Sequence, residues 1–110
     1  MAQNFDVLLS EETKKFIESL DLKKQKKIAY NIQKSREVND TKILKKLTNE
    51  IWEFRTRYEK LQIRLLAFWD PDKKSLIICS HGFIKKTQKI PKAEIAKALK
   101  FRGQYLKQKL

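Results

Sequence analysis

Cations and proton-transfer side chains are concentrated between residues 51 and 86, in and just after three apolar runs. The group with the chemistry to act on a phosphodiester comprises Arg55, Arg57, Tyr58, Arg64, His81, Lys85 and Lys86. Guanidinium and ammonium groups can stabilise the extra negative charge of a phosphorane-like transition state. His81, Tyr58 or a lysine whose pKa is lowered by neighbouring cations could carry the protons. These residue types therefore allow both RNA binding and RNA cleavage.

Each of these residues also has a purely structural interpretation. His81 is the only histidine and stands at the end of an apolar run, where a structural role is the default. Lys85 and Lys86 could form a solvated exit from a sheet, and Arg55 could simply pair with Glu53 or Glu59. Sequence alone does not choose between these alternatives.

The charge of the chain indicates which partners to expect. The 110 residues include 26 Lys and Arg against 13 Asp and Glu, a formal net charge of +13. Self-repulsion of this size destabilises a compact protein unless a partner uses it, and nucleic acid or an acidic protein fits best. No stretch approaches the roughly 18 apolar residues of a membrane span, and the first residues lack the pattern of a signal peptide. We expect a single domain, residues 1–110, in the cytoplasm, with no membrane partner.

Metal chemistry is not expected from this composition. One cysteine and one histidine cannot complete a zinc site, and a lone cysteine cannot form an intramolecular disulfide. Cys79 lies inside an apolar run and is interpreted as a small buried hydrophobe. We predict no metal and no cofactor.

The first half of the chain predicts a strand followed by two helices. NFDVLL alternates weakly, Ser10 is a good N-cap for a first helix, and Asp21 for a second. Both helices have one apolar stripe, so they form a helical hairpin that would cover one face of a sheet. The lysines of the second helix, Lys23, Lys24, Lys26 and Lys27, are either an RNA or ribosome footprint or a solvated face.

The second half predicts a meander of strands and a last helix. Residues 35–50 are predicted as a loop with one helical turn around Ile43–Leu47, before the strands IWEFRTR, QIRLLAFW and SLIICSHGF. In the first of these strands, alternation places Glu53, Arg55 and Arg57 on the face opposite Trp52 and Phe54. In the second, Ile63, Leu65, Ala67 and Trp69 share one face, and Arg64, Leu66 and Phe68 share the other. Arg64 therefore lies among apolar neighbours, where a partly enclosed guanidinium needs an anion or a carboxylate. A final helix begins near Pro91. The fold class is therefore α+β, with an antiparallel-dominated twisted sheet, an N-terminal helical hairpin and a C-terminal helix.

Three segments in this order, IWEFR, IRLLAFW and HGFIKKTQKIPKAEIAKA, give the chain a family resemblance. It resembles the RelE/HigB-like toxins of bacterial type II toxin–antitoxin systems, in particular the phage-derived HigB-like branch. Gln62 departs from the family pattern, which commonly has an aromatic before the strand arginine. Ile90 also departs from it, and its presence removes a natural N-cap from the last helix.

The resemblance implies a RelE-like fold and a toxin that inhibits translation by cleaving mRNA on the ribosome, a metal-independent endoribonuclease or mRNA interferase. It also implies a cognate antitoxin that covers the basic face, and operator DNA bound only through the antitoxin complex. Carried over by position, Arg64, Lys85 and Lys86 would be catalytic, and with His81 they form the predicted site. The predicted RNA-binding residues are Arg55, Arg57, Tyr58 and the four lysines of the second helix.

Two other functions stay open from the sequence. One is a non-catalytic protein that binds RNA or the ribosome and blocks translation. The other is a DNA gyrase inhibitor, since some relatives in the superfamily poison gyrase instead of cutting RNA. The group around Arg64 favours RNA chemistry over both.

Overall fold

A computed structural model describes residues 5–109, which form three helices and one five-stranded sheet. In chain order the elements are β1 (Asp6–Leu9), α1 (Glu11–Glu18), α2 (Leu22–Glu37), β2 (Leu44–Lys46), β3 (Trp52–Tyr58), β4 (Leu61–Trp69), β5 (Leu76–Lys85) and α3 (Lys92–Gln108). The strand order is β1-β5-β4-β3-β2, with β1 parallel to β5 and the other pairs antiparallel. The predicted α+β class is confirmed, and Asn4 of the predicted first strand lies outside the described residues.

Both predicted N-caps of the helical hairpin are confirmed. Ser10 Oγ accepts from the backbone N–H of Thr13 at 3.0 Å, and Asp21 Oδ1 accepts from that of Lys24 at 3.1 Å. These oxygens satisfy N–H groups that the first turn of a helix leaves without an intrahelical partner. Pro91 stands at the N-cap of α3, and no side chain donates or accepts a capping hydrogen bond there, because proline has no side-chain hydrogen-bonding group.

The prediction for residues 35–50 is wrong in two respects. Residues 35–37 continue α2, and the expected helical turn around Ile43–Leu47 is instead β2, paired antiparallel with β3. The backbone N–H of Leu47 donates to Ile51 O at 2.8 Å, which closes a hairpin. Pairing of β2 with β3 therefore outweighs the helical spacing of the apolar residues in this segment. Such pairing is a tertiary contact, and the local sequence pattern does not reveal it.

Alternation along the strands divides the core into two parts, one on each face of the sheet. One face carries Phe54, Ile63 and Leu65, packed against the hairpin of α1 and α2. The other carries Leu66 and Phe68, packed against α3. The predicted separation of the two faces of β4 is confirmed, and Cys79 is fully buried, where desolvation raises the pKa of its thiol.

α3 is held on its face of the sheet by a buried carboxylate. Asp70 accepts from the Tyr105 hydroxyl at 2.6 Å, from Lys109 Nζ at 2.6 Å and from the backbone N–H groups of Asp72 and Lys73. The hydrogen bond from Lys109, followed by that from Tyr105, holds the pKa of Asp70 well below its usual range. The last turns of α3 are thereby fixed to the loop that follows β4.

We expect Tyr105→Phe to lower the free energy of unfolding by about 1–2 kcal/mol, because it removes one hydrogen bond to an ionised carboxylate. The ring would still pack against Phe68, which it meets at 5.4 Å between centroids. Urea unfolding measures the change, with Tyr30→Phe as the matched control because Tyr30 is exposed. Equal stabilities of the two variants would contradict this account of the α3 anchor.

Candidate nucleic-acid interface

One face of the sheet, which α3 covers in part, carries five of the predicted site residues: Arg55, Arg57, Arg64, His81 and Lys85. The register pairs Arg55 with Arg64, and it pairs Gln62 with both Arg57 and Lys85. α3 packs over the apolar part of this face, while Arg57 is exposed and Arg55 and Lys85 are half-buried at its other end. His81 lies on the same strand and face as Lys85. We call Lys45, Glu53, Arg55, Arg57, Arg64 and Lys85 the basic face.

A buried ion pair forms the floor of the basic face. Glu53 Oε1 lies 3.2 Å from Arg64 Nε, and both side chains are at least 96% buried. Arg64 also donates to Ile63 O at 3.1 Å and to Gln62 Oε1 at 3.0 Å. The enclosed guanidinium predicted from alternation is present, and it meets a carboxylate.

This ion pair is only partly compensated by hydrogen bonds. Glu53 Oε1, Arg64 Nε and Arg55 Nε are buried atoms without an aligned hydrogen-bond partner, although Arg55 Nε stands 3.7 Å from Glu53 Oε2. Desolvation lowers the pKa of Arg64, and the charge of Glu53 opposes that shift. One carboxylate thus neutralises two guanidinium groups incompletely, and the basic face keeps an excess of positive charge.

Burial and the neighbouring positive charges both disfavour the charged form of Lys85. Its pKa is lowered by desolvation first and by the charge of Arg64 second, with Arg55 and Lys45 acting in the same direction and Glu53 against them. A lysine with a lowered pKa holds a larger neutral fraction near neutral pH, which is the form that accepts a proton. Lys85 is therefore the described group of the basic face best suited to proton transfer.

Both ring nitrogens of His81 have hydrogen-bond partners inside the protein. Its Nδ1 lies 3.0 Å from Ser80 Oγ and its Nε2 lies 2.9 Å from Glu94 Oε1, and the residue is 2% exposed. Because an ionised carboxylate can only accept, we assign a hydrogen to Nε2 and a bond donated to Glu94. With both ring nitrogens engaged, His81 joins the first turn of α3 to β5.

The remaining predicted residues are not brought to the basic face. Tyr58 belongs to the core on the opposite face, and Lys24 Nζ lies 5.2 Å from its ring centroid. The other α2 lysines, Lys23, Lys26 and Lys27, are exposed on the helix that packs against that same opposite face. Lys86 is exposed and follows the last residue of β5. The predicted RNA-binding residues thus divide between two surfaces.

Sequence reasoning missed three residues that complete this arrangement. Lys45 was missed because β2 was not predicted, and its register opposite Glu53 places it on the basic face. Alternation placed Glu53 on the charged face of its strand with Arg55 and Arg57, but its burial and its ion pair with Arg64 were not predicted. Glu94 follows Pro91 in the first turn of α3, and nothing in the sequence linked it to His81.

Residues 5–109 contain neither a cluster of metal-binding side chains nor a helix that could span a membrane. No group of three or more His, Cys, Asp or Glu side chains in this range is arranged to hold a metal ion. None of the helices in the described part of the chain has the length and apolar character to cross a membrane.

Comparison with known protein families identifies the chain at the family level. A family model described as phage-derived protein Gp49-like matches residues 15–102. The chain belongs to this family. The Gp49-like family is RelE-like and toxin-like, so the resemblance seen in the sequence is confirmed at that level, and an antitoxin partner is implied. A comparison with curated proteins found no match.

The matched range includes every residue of the basic face in this Gp49-like chain. It also includes Glu94 and His81, and it ends inside α3. The match therefore covers the strands that position the basic face and the first turns of the helix beside it.

Glu53→Gln should lower the free energy of unfolding by about 3 kcal/mol, because it leaves the buried guanidinium of Arg64 without its counter-charge. Chemical denaturation measures this, with Glu50→Gln at an exposed site as the control. The double variant Glu53→Gln/Arg64→Met should recover part of the loss, since it removes both charges. If the free energy of unfolding of Glu53→Gln lay within about 0.5 kcal/mol of the wild-type value, the result would contradict the ion pair of Glu53 with Arg64.

Replacing a neighbouring cation should raise the pKa of Lys85. In Arg55→Met or Lys45→Met the repulsion falls while desolvation remains, so the titration of Lys85, followed by NMR at Cε, moves up toward the ordinary value of 10.5. The wild-type protein should also gain stability relative to Lys85→Met as pH rises through the folded pKa, because the charged amine is the disfavoured form. Lys74→Met, in an exposed loop, is the control, and an unchanged titration in Arg55→Met would refute the coupling.

Proposed function

We propose that this Gp49-like protein is the toxin of a type II toxin–antitoxin pair, of the HigB-like branch, and that it cleaves mRNA on the ribosome. The observation that carries the proposal is the basic face, where several cations surround a single buried carboxylate. There, burial first and the neighbouring positive charges second lower the pKa of Lys85. Family membership supports the toxin part of the proposal. The chemistry of the basic face supports the choice of RNA as substrate.

Binding of the RNA backbone is the first step. Arg57 and Lys45 are exposed, and the Arg55 side chain is 31% exposed, so all three are accessible to the phosphate oxygens of a bound RNA. Contacts of this kind release counterions from the nucleic acid, and affinity then falls as salt rises. These residues position the RNA but do not by themselves read its sequence.

Cleavage requires one bond to form and one to break. The 2′-oxygen attacks the adjacent phosphorus while the neutral amine of Lys85 takes the 2′-hydroxyl proton. Arg55 stabilises the negative charge that develops on the phosphorane oxygens. The bond from phosphorus to the 5′-oxygen breaks, that oxygen receives a proton from solvent, and a 2′,3′-cyclic phosphate remains.

Arg64 takes a positioning role in this scheme. Its side chain is 3% exposed and its polar atoms face Glu53, Gln62 and Ile63, so it lies beneath the surface that RNA would touch. From there it orients Glu53, and its charge adds to the desolvation that lowers the pKa of Lys85. We assign His81 a similar structural part, because both of its ring nitrogens are used inside the protein.

One observation favours a second function, that of a non-catalytic RNA- or ribosome-binding inhibitor. Arg64 and His81, two of the residue types best suited to catalysis, are buried and engaged with protein partners. The exposed cations alone would suffice for binding. The two functions differ in whether RNA is broken, which the following experiment measures directly.

The decisive experiment is primer extension on a translated mRNA in a purified translation system. Wild-type protein should give discrete breaks that require ribosomes, and Lys85→Ala should cut at least about a hundredfold more slowly while still sedimenting with ribosomes. Lys27→Ala, on the opposite face of the sheet, is the matched control and should cut like wild type. Translation arrest without breaks would reject the nuclease and leave the binding inhibitor.

A further inference from the structure

The two edges of the sheet differ in how they are protected. β2, at one edge, is three residues long and exposes Lys45 and Lys46. Short edges with lysines resist pairing with other chains. β1, at the other edge, has the sequence DVLL and no lysine, and its Leu8 is 47% exposed. The β1 edge therefore lacks the chemical protection that β2 has.

The backbone of β1 has hydrogen-bonding groups directed away from the sheet. The N–H of Asp6 donates at 2.7 Å to the C=O of Ser75, just before β5, and the N–H of Ser10 donates at 3.1 Å to the C=O of Cys79 in β5. Because the direction of these groups alternates along a strand, Leu8 also faces β5, and the N–H and C=O groups of Val7 and Leu9 face the open edge. An extended chain placed beside β1 could pair with both residues.

A groove runs along this edge between β1 and α2. It consists of two adjoining cavities of about 500 and 340 Å³, which share Leu9, Ala29 and Ile32. Its lining is mainly aliphatic, and Leu22, which is 63% exposed, lies at one end. At the other end, the ion pair of Arg36 with Asp6 closes the groove. Alternate side chains of an added strand would enter this groove.

The positive charge of α2, beside the groove, favours a negatively charged partner. α2 carries the cations Lys23, Lys24, Lys26, Lys27, Lys34 and Arg36 against Glu37 alone. Lys26 lines the groove itself. A segment that alternates apolar and acidic residues would match both the lining and the charge.

We propose that the β1 edge and the α2 groove form a docking site for an extended acidic segment of a partner protein, which adds to the sheet as a sixth strand. The site lies on the hairpin side of the sheet, so its occupation does not require the basic face. The inference is independent of the proposed RNA chemistry, because it rests on the edge, the groove and the charge of α2.

The test uses NMR on the full chain and a synthetic peptide of about ten residues that alternates valine and glutamate. In the free protein, the amides of Val7 and Leu9 should exchange with solvent faster than that of Leu8. Adding the peptide at about 1 mM should slow exchange of Val7 and Leu9 at least about tenfold, as expected for new strand hydrogen bonds. A valine–lysine peptide should have no effect.

Variants separate groove docking from general attraction between charges. Ala29→Gln places a polar side chain in the groove and should abolish the protection, whereas Tyr30→Gln, at the next and exposed position, should keep it. Lys26→Glu should weaken binding more than Lys27→Glu. Equal binding by Ala29→Gln, perturbation of the basic face in place of Val7 and Leu9, or no protection in wild type would each overturn the proposal.

Discussion

The burial of a guanidinium beside a carboxylate in the middle of the sheet is the constraint on which the basic face depends. Removing two charges from water costs several kcal/mol per ion, and the pair is tolerated only where geometry and hydrogen bonds compensate. Arg64 meets Glu53, Gln62 and the backbone of Ile63, which fixes the relation of β3 to β4. Because one carboxylate, Glu53, stands beside two guanidinium groups, the basic face keeps positive charge that an anionic ligand could meet.

The position of α3 decides how much of this charge reaches the surface. The helix packs on the apolar part of the sheet through Ala98 and Phe101, and Asp70 anchors its last turns. Its first turn reaches His81 through Glu94. One face of the sheet is thereby divided into a closed apolar part and an open cationic part, and Lys85 lies in the open part.

Much of this arrangement could be predicted from the chain, because alternation and capping are local. The period of two in β4 placed Arg64 and Leu66 on one face, and Ser10 and Asp21 marked the helix starts correctly. The same alternation placed Glu53 and Arg55 on one face of β3, but only the register of β3 with β4 shows that this is also the face of Arg64.

The parts that sequence reasoning missed depend on contacts between distant segments. β2 forms because its backbone pairs with β3, so the place of Lys45 could not follow from its local spacing. His81 is buried, and its partner Glu94 lies thirteen residues later in α3. The lysines of α2 were grouped with Arg55 by charge alone, but the sheet separates them.

The most direct test of the account is to find which face of the sheet RNA touches. A short 2′-O-methyl RNA, which lacks the attacking hydroxyl, can be titrated at low salt into labelled protein while the Arg Nε–H and Lys Cε signals are followed by NMR. The account predicts that the signals of Arg55, Arg57 and Lys85 shift together, and that those of Lys23 and Lys27 do not. Shifts confined to the α2 lysines would contradict it and place RNA on the opposite face.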